Sequence, residues 1–453
     1  MTNTTTCIRL GGGSACPGER LEPVIEMLEK GRLDYLGFDS LSETELLAFE
    51  RQRLDEPGLG YDAFTEKRLR AILPLCREKN VKVIGNMGAA NPEGALHVAL
   101  DVCRELGLRG MKVASVIGDD VLDLVRELDL PIEKAEKSAR GFGDTLVSAH
   151  AYIPADPIVE ALSEGATLVM AGRVGDASIY LAPLMYEYGW NENDLDLLAR
   201  GIIVGHLLEC AGQVSGGYFA DPPYKVVPDL HRIGFPIAEV HDDGECFITK
   251  VESSGGLVSP ATCAEQLLYE THDPSHYIEA DVISDFKHIE FDEVEPNRVR
   301  MGGTIRGKPP PDMLKIAVGV REGYRTEGMV FYGGSGAVDR AKLAADVMRR
   351  RLEEVVGFEG ELRIDLIGLD AFYGPERGGK GVIPREVGVR LAGRCPDLAN
   401  AMKIAHELET IDNNGPASLA RSLRSEDIRE VLGYYDAFIP RDQVKTRVLV
   451  EEV

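Results

Sequence analysis

At 453 residues, 44% of them hydrophobic and 28% charged, the chain has the composition of an ordinary soluble globular protein and more length than one core normally covers. A formal net charge of −25 excludes sequence-independent binding to nucleic acid or to an anionic membrane surface, which needs clustered Lys and Arg. No run of eighteen apolar residues occurs, the start MTNTTTCIRL has no apolar leader core, and the eight cysteines form no C-x-x-C pair, so a cytoplasmic protein with reduced thiols and no membrane span is expected.

The first 180 or so residues alternate short apolar runs with amphipathic segments. Strands are predicted over residues 7–10, 35–38, 81–84, 111–117, 145–149 and 167–170. Helices between them have readable starts: Ser42 with Glu45 is a capping box, and Asn91-Pro92 and Asp156-Pro157 each place a cap before a proline. Gly107 and Gly165 stand where left-handed C-caps are expected. Six βα units at this spacing imply parallel pairing by right-handed crossovers, with the ligand site at the carboxyl ends of the strands.

Further along, residues 201–222 run as an apolar helix that breaks into Glu209, Cys210, Gln213, Ser215, Gly216 and Gly217. A carboxylate in so apolar a segment is costly unless paired or used. Residues 237–251 read as a hairpin about Asp242-Asp243-Gly244, followed by a helix over 262–269. Beyond 280 come short strands at 299–305, 314–320 and 328–332, a helix over 339–356, a strand at 362–367 and a helix over 396–410. The expected fold is therefore α/β: an N-terminal parallel-sheet, Rossmann-like, doubly wound domain over residues 1–270 that carries the site, and a C-terminal α+β domain over 271–453.

The loops just past the predicted strands hold Gly11-Gly12-Gly13-Ser14, Asp39-Ser40, Asn86-Met87-Gly88, Gly118-Asp119-Asp120, His150 and Gly172-Arg173-Val174-Gly175-Asp176. In a parallel sheet all six point at one edge, giving carboxylates and an imidazole for proton transfer, glycines for close approach and an Arg for an anion. Taken one at a time, such residues are ordinary turn and cap formers. Cys210 would need His206, four residues earlier, as its base, and a satisfied core Cys and His is the plainer reading.

Other motifs carry less. Gly11 to Gly18 has Cys16 where a dinucleotide fingerprint needs glycine, although Asp39 would suit a ribose, so NAD stays an alternative. Gly374 to Gly381 lacks the Ser/Thr of an ATP-binding P-loop and reads instead as a lid or surface loop with Arg377 and Lys380. His272 and His276 are separated by Pro274, which argues against a zinc helix.

The segments NMGAANP (86–92), GDDV (118–121), AGRVGDAS (171–178), VGHLLECAGQVSGGYFADP (204–222), GFPIAEV (234–240), EQLLYETHDP (265–274) and DNNGPA (412–417) resemble the acyclic terpene utilisation AtuA family, in order along nearly the whole chain. The resemblance implies a catabolic enzyme or enzyme subunit acting on a branched carboxylic acid or its CoA thioester, with a small companion protein. It carries no catalytic assignment. At the start this chain has Cys16 and PGER (17–20) where relatives tend to have an aromatic residue and SGDR.

The expected function is a lyase or isomerase, foremost a hydratase/dehydratase, on an anionic branched carboxylate or acyl-CoA. Asp119, Asp120 and His150 are the candidate acid and base, with Cys210 beside them. Gly11, Gly12, Gly13, Asn86, Gly88, Asn91, Arg173, Asp176, Gln213 and Gly216 are the candidate substrate contacts. The one metal that the donor set suits is Mg²⁺, on Asp119, Asp120 or Asp176. A homo-oligomer is expected. A non-catalytic scaffold and an NAD-dependent oxidoreductase are the alternatives.

Overall fold

The computed structural model describes residues 7–374, 376–378, 383–421 and 428–453. The chain is of mixed α/β class and forms two compact units, residues 1–319 with 434–453, and residues 320–433.

The first unit is built on a large mixed sheet. Its parallel part consists of β1 (Ile8–Gly12), β2 (Tyr35–Phe38), β3 (Lys82–Gly85), β4 (Lys112–Ile117) and β6 (Leu168–Ala171), in the order β1-β2-β3-β6-β4. These strands are short and apolar because both faces are covered. Helices Glu22–Lys30, Thr65–Lys79 and Pro92–Glu105 share one core with the sheet, including Leu36, Leu69, Ile72, Leu96 and Val113. Helices Asp156–Ser163, Ser178–Tyr188 and Leu195–Leu208 pack in succession, with Ser178–Tyr188 against β2.

Antiparallel strands extend the sheet on both sides. β7 (Pro236–Val240) pairs with β1 and, as the expected hairpin, with β8 (Cys246–Lys250). The hairpin of Ile283–Glu295 with Arg298–Lys308 follows, and the C-terminal strand Arg447–Glu452 pairs with β4.

One expected strand lies elsewhere. β5 (Leu146–Ala151) is not in this sheet; it pairs with the strand that begins at Met313, and Tyr152 N–H next to it donates to Lys315 O at 2.9 Å. Of the predicted helix starts, the Ser42–Glu45 box and the Asn91 cap form as expected. Asp156 is instead the first residue inside its helix, with Ala155 at the cap position. Gly107 and Gly165 have φ of +69° and +87°, the left-handed C-cap conformation.

In the second unit the strand from Tyr324 onward pairs antiparallel with Glu386–Cys395, which pairs in turn with Glu361–Ile367. Helices Ala337–Arg350 and Leu398–Asn414 bury Ala341, Met348, Ile404 and Ile411 against them. The strands expected at 314–320 and 328–332 form one continuous strand, Met313–Gly333.

Candidate active site at the parallel strand ends

Chain reversal at the ends of β2 and β3 brings Asp39 and Asn86 together. Asn86 donates Nδ2–H to Asp39 Oδ1 at 2.6 Å and accepts Ser40 N–H at Oδ1, 2.7 Å. Ser14, just past β1, donates its hydroxyl to Asp39 O at 2.6 Å. Three strand ends thus meet at Asp39, Ser14 holding its main chain and Asn86 its carboxyl. Asp39 is 8% exposed, and burial, then the charge of Asp176, pushes its pKa well above the usual carboxylate range against the pull of Arg173.

Asp119 and Arg173 come from the ends of β4 and β6. Asp119 Oδ2 accepts from the His150 ring at Nδ1, 2.9 Å, and from Arg173 N–H, 2.9 Å. The other ring nitrogen of His150 lies 3.2 Å from buried Glu50. Burial works against a charged ring, but the hydrogen bonds to Asp119 and Glu50 outweigh it and lift the imidazole to about 10. His150 is therefore a clamped cation between two carboxylates, with neither nitrogen open to substrate. Asp120 turns away from it to pair with Arg53 at 2.9 Å, and Arg53 also reaches Glu50.

The Arg173 guanidinium is fully buried, 4.1 Å from the Tyr152 ring centroid. It donates to Leu41 O and Val174 O at 2.9 and 3.0 Å and pairs with Asp176. Tyr152 donates its hydroxyl to Glu43 at 2.7 Å. Burial raises the Glu43 carboxyl, but the Tyr152 hydrogen bond and Lys315, 3.0 Å away, more than offset this and hold it at about 2.

The helix Leu195–Leu208 delivers the second buried carboxyl. Glu209 lies 2.7 Å from His206 Nδ1; Nε2 of that ring lies 3.3 Å from Leu267 O, and the Tyr277 hydroxyl is 3.2 Å from Nδ1. Burial, then Asp176 and Glu270, drives Glu209 well up, while burial pulls His206 down. Both directions favour a neutral pair. Glu279 joins the same group of carboxyls and is raised to about 8 by burial, Glu209 and Asp176.

The remaining candidates do other work. A Cβ on Gly11 would meet Leu33, one on Gly12 would come 2.4 Å from Leu208 O, and one on Gly13 would come 2.8 Å from Gly37 O. Gly13 N–H already bonds to Gly37 O at 2.7 Å, so these glycines serve close packing of the chain upon itself. Gly88 fits against Ala171 O in the same way, and Asn91 caps its helix by accepting Gly94 N–H at 3.0 Å. Burial, then Glu209, raises the Cys210 thiol and keeps it protonated, and the His206 nitrogens face Glu209, Tyr277 and Leu267. Gln213 lines a surface hollow of about 590 Å³ with Tyr218, Phe219, Lys225 and Tyr269, while Gly216, φ +98°, packs on Val227.

Among the described residues no group of three or more His, Cys, Asp or Glu is arranged to hold a metal ion. The carboxylates named for Mg²⁺ are committed separately: Asp119 to His150, Asp120 to Arg53 and Asp176 to Arg173. After the glycines the next helix starts only at Glu22 and has no side-chain cap, unlike a pyrophosphate-binding turn. In the Gly374–Gly381 segment Arg377 is exposed, and Lys380 lies outside the described residues. No helix among the described residues is long and apolar enough to cross a membrane.

Sequence reasoning named Asp119, His150, Arg173 and Asp176, which do meet, and left out Glu50, Tyr180 and Glu279. Asp39 was noticed as a strand-end residue suited to a ribose and Glu209 as a costly burial, without being joined. The fold is α/β, and carboxyls of raised pKa gather in it: Asp39 at the end of β2, Glu209 just past the helix Leu195–Leu208, and Glu279. The chain belongs to the acyclic terpene utilisation family AtuA, whose model matches residues 8–450, and this places it in acyclic terpene utilisation. No curated protein matches it significantly.

Proposed function

We propose that the chain is a hydro-lyase, a hydratase/dehydratase, acting on a branched carboxylic acid or its CoA thioester in the breakdown of acyclic terpenes. The observation that carries this reading is the pair Asp39 and Glu209, two buried carboxyls from different elements whose ionisation is opposed by burial and by the charge of Asp176. Like charges in a dry site share protons unequally, so one carboxyl serves as base while the other remains an acid.

Dehydration then balances as follows. The ionised carboxyl takes a proton from the carbon next to the acyl carbonyl, and the protonated one gives its proton to the leaving β-hydroxyl, which departs as water. Hydration is the reverse. Asn86 positions Asp39, His206 backs Glu209, and the Arg173–Asp176 pair sets the field between them. A scaffold gains nothing from two buried carboxyls that oppose each other's ionisation.

The purified protein, with and without the small companion subunit that the proposal includes, is incubated with unsaturated and hydroxylated branched acids and their thioesters and followed by mass spectrometry. Gain or loss of one water is expected. Hydride transfer alone, or no reaction across the panel, overturns the assignment.

A further inference from the structure

Tyr180 lies in the first turn of helix Ser178–Tyr188, with its ring laid on Gly37 of β2. A Cβ at position 37 would come within 2.3 Å of the ring, so glycine there is what lets the ring lie so close to the strand end. The residue is 1% exposed, yet its hydroxyl has no hydrogen-bond partner among the described residues. After burial, the groups that hold the phenol protonated are Asp39, Glu209, Cys210 and Asp176, in that order.

A second buried group behaves alike: Gln266, also 1% exposed, donates Nε2–H to His206 O at 2.8 Å and hydrogen-bonds to Cys210, while its Oε1 has no partner among the described residues. A buried hydroxyl without a partner has lost its hydration for nothing in return, a cost that a bound acceptor would recover.

We infer that Tyr180 donates its hydroxyl hydrogen bond to the carbonyl oxygen of a neutral acyl group, a thioester rather than a free carboxylate, held between Asp39 and Glu209. This rests on the proposed function for the placement of the reacting carbon. The charge around the site decides between the two substrate forms. Asp39, Glu209 and Glu279 each feel the charge of Asp176, and the Arg173 guanidinium beside them is already paired with Asp176. A substrate carboxylate would add one more negative charge beside them, an unfavourable like-charge juxtaposition. A thioester carbonyl adds none. When its α-proton leaves, the electron pair moves onto the carbonyl oxygen, where the Tyr180 O–H stabilises it without giving up its proton.

The probe is a β-methyl-branched enoyl thioester of N-acetylcysteamine, labelled with ¹³C at the carbonyl, alongside the corresponding free acid. Wild-type protein is expected to bind the thioester and move its carbonyl stretch to lower frequency in isotope-edited infrared spectra. Tyr180→Phe is expected to abolish that shift and weaken binding at least about tenfold, the loss of one buried hydrogen bond. Its melting temperature should not fall below wild type, because Phe fills the same space and leaves no unpartnered hydroxyl.

An unchanged shift in Tyr180→Phe, no binding of the thioester by wild type, or tighter binding of the free acid overturns the inference. If the Tyr180-dependent shift persists while no water is gained or lost, the hydro-lyase reading alone falls. If hydration proceeds undiminished in Tyr180→Phe, the role of Tyr180 alone falls.

Discussion

His150 and Arg173 are joined through a single oxygen: Asp119 Oδ2 accepts from the imidazole and from the Arg173 main chain, each at 2.9 Å. The imidazole is thereby a strut that fixes the strand end from which the Arg173 guanidinium projects.

Replacing His150 by Gln leaves Asp119 and Glu50 buried without their shared cation. A loss of about 3–5 kcal/mol is expected in urea denaturation, as for any broken buried pair. The ring's folded pKa, about 10, lies above its unfolded value, so its contribution is complete below the unfolded pKa and disappears as pH rises through about 10. Wild-type stability should decline over that window, and the His150→Gln curve should lack this component.

Asp39→Asn and Glu209→Gln should each cut turnover by about 10²–10⁴-fold, the usual worth of a general acid or base. Neither should cost stability at alkaline pH. Both carboxyls have folded pKa values raised by burial, so the folded state loses stability as pH rises through them, and an amide removes that loss. Thermal melts at alkaline pH check this; a variant much less stable than wild type there would contradict it.

Asn86→Ala removes the amide that holds Asp39 Oδ1 and the Ser40 N–H. Misplacing an acid or base lowers kcat more than binding, and a fall in kcat of about 10–100-fold with KM within a few-fold is expected. Steady-state kinetics decide it, with equal changes in both constants counting against a positioning role.

Gly37→Ala drives a methyl group into the Tyr180 ring. Overpacking of this kind costs about 1–3 kcal/mol. The variant should lose stability and also the Tyr180-dependent carbonyl shift, measured by chemical denaturation and by infrared spectroscopy.

The parallel strands were legible because each is a short apolar run closed by Gly, Asp or Asn; Tyr35–Phe38 has the bounds that the pattern predicts. Their order was not, since nothing local in Leu168–Ala171 says that it inserts between β3 and β4. The strand Met313–Gly333 reads as two because Arg321, Glu322, Arg325 and Glu327 interrupt its apolar pattern, and Gly323 has φ +93°.

At the site, Asp119, His150 and Arg173 announced themselves as polar residues at strand ends. Glu50 did not, because Glu50-Arg51-Gln52-Arg53 looks like a solvated helix face, and the distant His150 that meets it is not in view. Tyr180 is hidden in a helix that is apolar nearly all round, where its hydroxyl is a small departure. Glu209 was visible as a cost with no partner in view; its relation to Asp39 is purely three-dimensional.

Proton transfer between Asp39, Glu209 and an acyl carbon is most directly tested by incubating a branched enoyl thioester with the protein in D₂O and locating deuterium in the hydrated product by NMR. Wild type should place solvent deuterium on the carbon next to the carbonyl, and Asp39→Asn and Glu209→Gln should abolish this while still binding the thioester. Labelling at the wild-type rate in both variants, or none in wild type, would contradict it.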